Sequence, residues 1–171
     1  YFAKMKSEQT GTKRIAKVLG SLMDADQMQQ DYETLVSDLL TWINNKTHQL
    51  NDRHFSNSLE GIQHDMLRFK NYRTVEKPPK YHERGNLEAE FFNIQAKLKS
   101  RVRRMYVPPE GKLIRDIEAA WNHLEKAEHD REIALREELI RQERLQQLAE
   151  KFERKAALRE SWLNDMTSIL S

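Results

Sequence analysis

The sequence predicts an all-α protein: a three-helix bundle whose third helix runs on into the first helix of a following bundle. Three observations carry this expectation. Apolar residues recur at alternating steps of three and four over long stretches, the period of helices buried along one face. The 171 residues include only five glycines, and the four prolines stand as two adjacent pairs, Pro78-Pro79 and Pro108-Pro109, so long stretches are free of helix breakers. Charged residues make up 33% and hydrophobic residues 38%, a balance suited to helices that bury a narrow stripe and expose the rest to water.

Taken in order, residues 1–9 (YFAKMKSEQ) begin at Tyr1 and Phe2 without a helix-start signal and read as the end of a preceding element. From Thr12 the helical period appears, with Ile15, Val18, Leu19 and Leu22 on one face. Asp24 and Asp26 interrupt it, and a helix A is expected over about 24–51. Its seam reads Met28, Tyr32, Leu35, Leu39 and Trp42, with Val36 and Ile43 beside it. This helix is expected to end at Asn51-Asp52. Asn57, three residues before Glu60, resembles a capping box and marks a fresh start.

Helix B then runs through Phe55, Leu59, Ile62, Met66 and Phe69. Pro78-Pro79 predicts a loop near 75–84, because proline lacks the amide donor and its ring clashes in a straight helix interior. After Gly85-Asn86 the period returns as Leu87, Phe91, Ile94 and Leu98. Val107-Pro108-Pro109-Glu110 is the second break, with the prolines expected in the first turn of helix C. Leu113, Ile114, Ile117, Trp121 and Leu124 start that helix. No glycine or proline follows Gly111, so helix C can extend for roughly 90 Å at the usual rise per residue. Its apolar spacing weakens between Glu128 and Glu138, where Glu132–Arg136 and Glu137–Arg141 have the spacing of supporting ion pairs, as does Glu150–Arg154 further on. The middle of the helix is therefore expected to be solvent-exposed. The seam resumes as Leu145, Leu148, Phe152, Trp162, Met166 and Ile169. Helices shared between successive bundles are the mark of a tandem array.

Several function classes are excluded. Lys+Arg total 29 and Asp+Glu 27, and the two signs are interspersed, unlike the one-signed face of a nucleic-acid binder. Without cysteine there is no disulfide or thiolate chemistry. The six histidines include no i,i+4 pair and no HExxH; Glu125 and His129 read as an ordinary surface pair. No glycine-rich phosphate loop and no nucleophile–base arrangement stands out. The chain is therefore expected to be no enzyme, with no catalytic residue, metal or cofactor. No apolar run reaches the roughly 20 residues needed to span a bilayer, so no direct membrane insertion is expected, and no signal-peptide pattern opens the chain. The candidate for binding is the charged segment 73–84 (RTVEKPPKYHER), with Arg73, Glu76, Lys77, Pro78, Pro79, Lys80, Glu83 and Arg84 suited to steering a partner. The cluster RVRR at 101–104 reads either as a solvated helix end or as a contact for an acidic partner or lipid headgroup.

Specific strings add a resemblance. YRTVEKPPKY at 72–81, GNLE at 85–88, PPEGKLI at 108–114 and ELIRQERLQQLAEKFERKAALRESWL at 138–163 resemble β-spectrin, and Trp42, Trp121 and Trp162 sit where spectrin repeats place tryptophans. YFAKMK resembles the end of the second calponin-homology domain of that family, and KRIAKVL at 13–19 the linker after it. QHDMLRFKNY at 63–72 and RVRRMYVPP at 101–109 depart from the commonest members, as in a divergent or heavy β chain. The resemblance implies a calponin-homology tail at 1–9, a linker at 10–23, a first spectrin repeat at 24–140 and helix A of a second repeat at 141–171. It also implies side-by-side antiparallel pairing with the C-terminal repeats of α-spectrin, F-actin binding through the upstream domain, and a place in the cytoplasmic cytoskeleton at the cell cortex. An α-actinin-like antiparallel homodimer, a passive spacer rod, and direct actin or lipid binding by this segment stay open as alternatives.

Overall fold

Long runs of helix formers between the proline pairs become long helices in the computed structural model, which describes the backbone of residues 2–101 and 103–170. Side chains are described for 12–17, 19, 20, 23–101 and 103–170. Helix α1 spans Phe2–Asn51, α2 Leu59–Asn71, a π-helical turn Tyr72–Glu76, α3 Lys77–Ser100, and α4 Ile114–Leu170. The expected all-α class is what the structure shows, and there is no strand among the described residues. The linker segment and helix A are one continuous helix, α1. The side chains of Tyr1, Phe2, Val18 and Leu22, invoked in the sequence reading, lie outside the described residues, as does Val102.

The α2 start corrects the capping expectation. The N-cap is Ser58 rather than Asn57, and its hydroxyl accepts from the Gly61 amide at 3.0 Å. Glycine is required there, because a Cβ on Gly61 would lie 2.4 Å from Ser56 Cβ. Phe55 therefore precedes the helix and lies under the Arg131 guanidinium, 5.3 Å from its ring centre. The second proline pair is also placed differently. Pro108 and Pro109 lie ahead of α4, in the non-helical segment before it. The Lys112 amide bonds the Pro109 carbonyl at 3.0 Å across a turn whose third residue, Gly111, has φ +89, a conformation that favours glycine. The Asp116 carboxylate accepts from the Leu113 amide at 3.0 Å and closes the first turn of α4.

No loop forms near 75–84. A π-turn takes its place, and the seam explains why. Inward residues before it run Ile62, Met66, Phe69, Tyr72; those after it run Lys77, Lys80, Arg84, Leu87, Phe91, Ile94, Leu98. The single step from Tyr72 to Lys77 is five residues, which an α-helix cannot make without rotating its buried face away. One i→i+5 turn absorbs it. The prolines then fall in the first turn of α3, exposed, where the lost amide donors are tolerated.

The chain divides into two units. The first comprises Tyr1–Thr47 and Lys77–Glu125, the second His48–Glu76 and Lys126–Ser171. In the first unit Tyr32, Leu39, Ile94, Leu98, Ile117, Trp121 and Leu124 are buried, while Trp42 and Phe91 are half-buried. Leu35 corrects the expected core: it is 53% exposed, whereas Val36 and Ile43 are 0% exposed. The buried series Ala25, Tyr32, Val36, Leu39, Ile43 keeps one face of a 3.6-residue helix, and Leu35 stands about 100° away from Val36. In the second unit Ile62 and Phe69 are buried and Leu59 and Met66 half-buried.

The middle of α4 is not solvent-exposed on all sides as expected. Ala127, Glu128, Leu135 and Gln142 are buried. The seam continues there through polar side chains, which hid it. Of the expected ion pairs, Arg136–Glu132 forms at 2.7 Å, but Arg141 pairs with Glu138 rather than Glu137, also at 2.7 Å. Beyond Gln142 the apolar stripe is exposed, with Phe152 at 75% and Trp162 at 59%.

Candidate functional site

The charged candidates are drawn largely into their own units. In the second unit, Arg73 Nε donates to Glu128 Oε1 and Nη2 to Glu132 Oε2, both at 2.9 Å. These bonds, that to Glu132 first, raise the Arg73 pKa above its ordinary value, and the guanidinium covers the Phe69 ring at 4.9 Å. Glu76 is exposed. In the first unit, Lys77 Nζ reaches Glu125 at 2.8 Å, and the same carboxylate oxygen accepts from Trp121 Nε1 at 3.1 Å. Lys80 pairs with Glu83 at 3.1 Å and lies over Trp42 at 5.6 Å from the ring centre. Arg84 approaches Glu88 at 3.8 Å and stacks on Trp121 at 5.7 Å. Pro78 and Pro79 are exposed. Of the RVRR cluster, Arg101 and Arg104 are exposed and Arg103 reaches Asp26 at 3.8 Å.

Two of these residues do share a surface feature. Lys80 and Glu83 line a groove of about 350 Å³ in the first unit together with Leu35, Asp38, Leu87 and Glu90. The exposed Leu35 gives it an apolar wall, and the three carboxylates outnumber the one ammonium. Sequence reasoning missed Leu35, Asp38 and Glu90 as surface groups. The signal available was the phase of Val36 and Ile43, which displaces Leu35 from the buried face.

Other polar groups matter more to the architecture. Arg131 Nη1 reaches the carbonyls of Gln49, Leu50 and Asp52 at 3.2, 3.3 and 2.7 Å, closing the C-terminus of α1. Burial lowers the Arg131 pKa from its ordinary value. Charged bonds of this kind are worth about 1.5–3 kcal/mol, more than water-screened surface ion pairs contribute. Arg131 is thus the costlier to lose. In the first unit Gln95 clamps the segment before α4 through both Tyr106 backbone groups, at 2.6 and 2.9 Å, and the Tyr106 hydroxyl donates to Glu33 at 2.6 Å. No group of acidic residues and histidines that would hold a metal ion occurs among the described residues, and no helix there is long and apolar enough to cross a membrane.

Paired helical seams and inward-turned charges define an all-α helical-bundle protein. Comparison with known proteins gives the family. No family model matches the chain. It is 53% identical over all 171 of its residues to the spectrin beta chain of Drosophila melanogaster, covering 8% of that protein. It is 48% identical over all 171 residues to spectrin beta chain, non-erythrocytic 4, of Homo sapiens, covering 7% of it. To alpha-actinin-1 of Gallus gallus it is 40% identical over 169 residues, 99% of this chain and 19% of the relative. The chain belongs to the spectrin/α-actinin superfamily. These relatives are structural cytoskeletal proteins, not enzymes. It spans less than a tenth of the length of the spectrin relatives it matches.

Proposed function

We propose that this chain is a first-repeat segment of a β-spectrin-type scaffold, and that it pairs side by side and antiparallel with the C-terminal repeats of α-spectrin. In this reading residues 24–140 form the first repeat, 141–171 open the second, 10–23 are a linker and 1–9 the tail of an actin-binding domain. A cytoskeletal scaffold is common to both groups of relatives. What favours the spectrin assignment is identity over the full chain, 53% and 48% for two spectrin beta chains against 40% for an α-actinin. F-actin is reached through the upstream domain of the parent protein, in the cytoplasmic cytoskeleton at the cell cortex. The carboxylate-rimmed groove around Leu35 supports a partner bearing cations beside an apolar side chain.

Light scattering tests the reading. The chain alone should be monomeric and should form a 1:1 complex with the C-terminal repeats of α-spectrin, more slowly as salt is raised. A dimer formed alone that ignores α-spectrin would favour an α-actinin-like homodimer; a monomer inert to α-spectrin would leave a passive rod.

A further inference from the structure

The second unit carries a larger groove than the one around Leu35, about 480 Å³, between α2 with its π-turn and α4. Met66, Leu67, Phe69 and Leu135 give it an apolar surface. Leu67 is 63% exposed and extends that surface to the solvent. The polar rim is cationic. Lys70, Arg73 and Arg136 line it against one carboxylate, Glu132, which already accepts from both arginines at 2.9 and 2.7 Å. Lys70 makes no ion pair among the described residues, and the Arg136 side chain is 68% exposed.

Apolar floor and cationic rim select the occupant by complementarity. A helix laid in a groove presents apolar anchors one turn apart and polar residues along its flanks. Here the flanks must be acidic. Of the exposed faces of this chain itself, most do not supply that combination. Residues 12–23 expose Ile15, Leu19 and Met23 beside Lys13, Arg14 and Lys17, which the rim would repel. The acidic stretch from Asp24 to Asp38 has one exposed large apolar residue, Leu35. The exposed stripe after Gln142 interleaves Leu148 and Phe152 with Lys151, Arg154 and Lys155, and only its end, with Trp162, Leu163 and Met166 beside Glu160 and Asp165, is acidic; a second copy presenting that end is the occupant the test must separate from a foreign helix.

We propose that this groove is a docking site for an acidic amphipathic helix of another protein chain. Its apolar side chains seat on Met66 and Leu67, and its carboxylates face Lys70 and Arg136. The site is independent of the Lys80–Glu83 groove and of the assignment to α-spectrin.

The test is methyl NMR on the whole chain, titrated with a synthetic helical peptide carrying leucines at i, i+4 and i+7 with glutamates between, and with its lysine-for-glutamate twin. The glutamate peptide should shift the Met66 and Leu67 methyl signals and leave Met28 in place. Leu67→Asp, at an exposed position, should weaken binding about tenfold or more while leaving far-UV circular dichroism unchanged. Lys70→Glu with Arg136→Glu should reverse the preference toward the lysine twin. Equal binding of both peptides, indifference to Leu67→Asp, or no shift at Met66 overturns the proposal. So do shifts of these methyls with protein concentration alone, which would make a second copy the occupant.

Discussion

At the scale of single residues, burial decides more than residue type. Burial raises the Tyr106 pKa above the ordinary phenol value, and the bond to Glu33 adds to it; burial, then the charge of Glu88, does the same for Tyr32. A raised folded-state pKa gives stability that is fully present below the unfolded value of about 10 and is lost as pH rises toward the folded value. Urea midpoints should therefore hold to about pH 9 and fall beyond about pH 10. Tyr106→Phe should cost about 1 kcal/mol at pH 7, because Glu33 loses its donor, yet flatten the alkaline decline. An unchanged decline in that variant would remove Tyr106 as its cause. Residue identity alone was a poor guide elsewhere. Leu35 and Val36 are equally apolar, and only the phase of the helix leaves Leu35 53% exposed and Val36 buried.

At the scale of elements, two glycines in α2 and α3 should respond with opposite sign to the same substitution. Gly61→Ala drives a methyl against Ser56 Cβ, with 2.4 Å between them before relaxation, and should cost about 1–3 kcal/mol. Gly85→Ala, inside α3 with nothing within 4 Å of the added Cβ, should stabilise by about 1 kcal/mol. Thermal melts followed by circular dichroism read both; a common sign would contradict the packing at Ser56. The helices themselves were legible, because steps of three and four over many turns admit little else. Their interruptions were not. The pair Pro78-Pro79 signals a break strongly, yet the five-residue step from Tyr72 to Lys77 shows that a change of helical pitch suffices. The buried stretch of α4 was hidden because Glu128 and Gln142 occupy seam positions, and their partners, Arg73 and Asn57, are distant in sequence.

At the scale of the whole molecule, α4 carries apolar residues beyond its packed stretch, including Phe152, Trp162 and Ile169. If 141–171 open a second repeat, the Trp162 ring should be water-exposed in this chain and covered in one carrying the helices that follow. A fluorotryptophan label, assigned with Trp162→Phe, reads this through the solvent isotope shift of its signal. A Trp162 shift equal in both chains would argue against a second repeat beginning there. The partner surface was only partly readable at this scale. Charge patterning led to 73–84, but the structure ties Arg73, Lys77 and Arg84 to neighbours within their own units. Of that segment, Lys80 and Glu83 line the groove around Leu35.

The π-turn between α2 and α3 also bears on how this segment can change length. A five-residue step in a seam of threes and fours amounts to a heptad frame carrying one inserted residue. Val75, within the turn and 59% exposed, can be removed to leave a step of four, and the two flanking seams would then join as one regular α-helix still in phase. A homologous chain can therefore lack a single residue here without re-registering the buried face, whereas the same deletion at Ile94, which is 1% exposed, would rotate every later side chain of the helix by about 100°. Length variation in this helix has one permissive address, and the proline pair stands directly beside it.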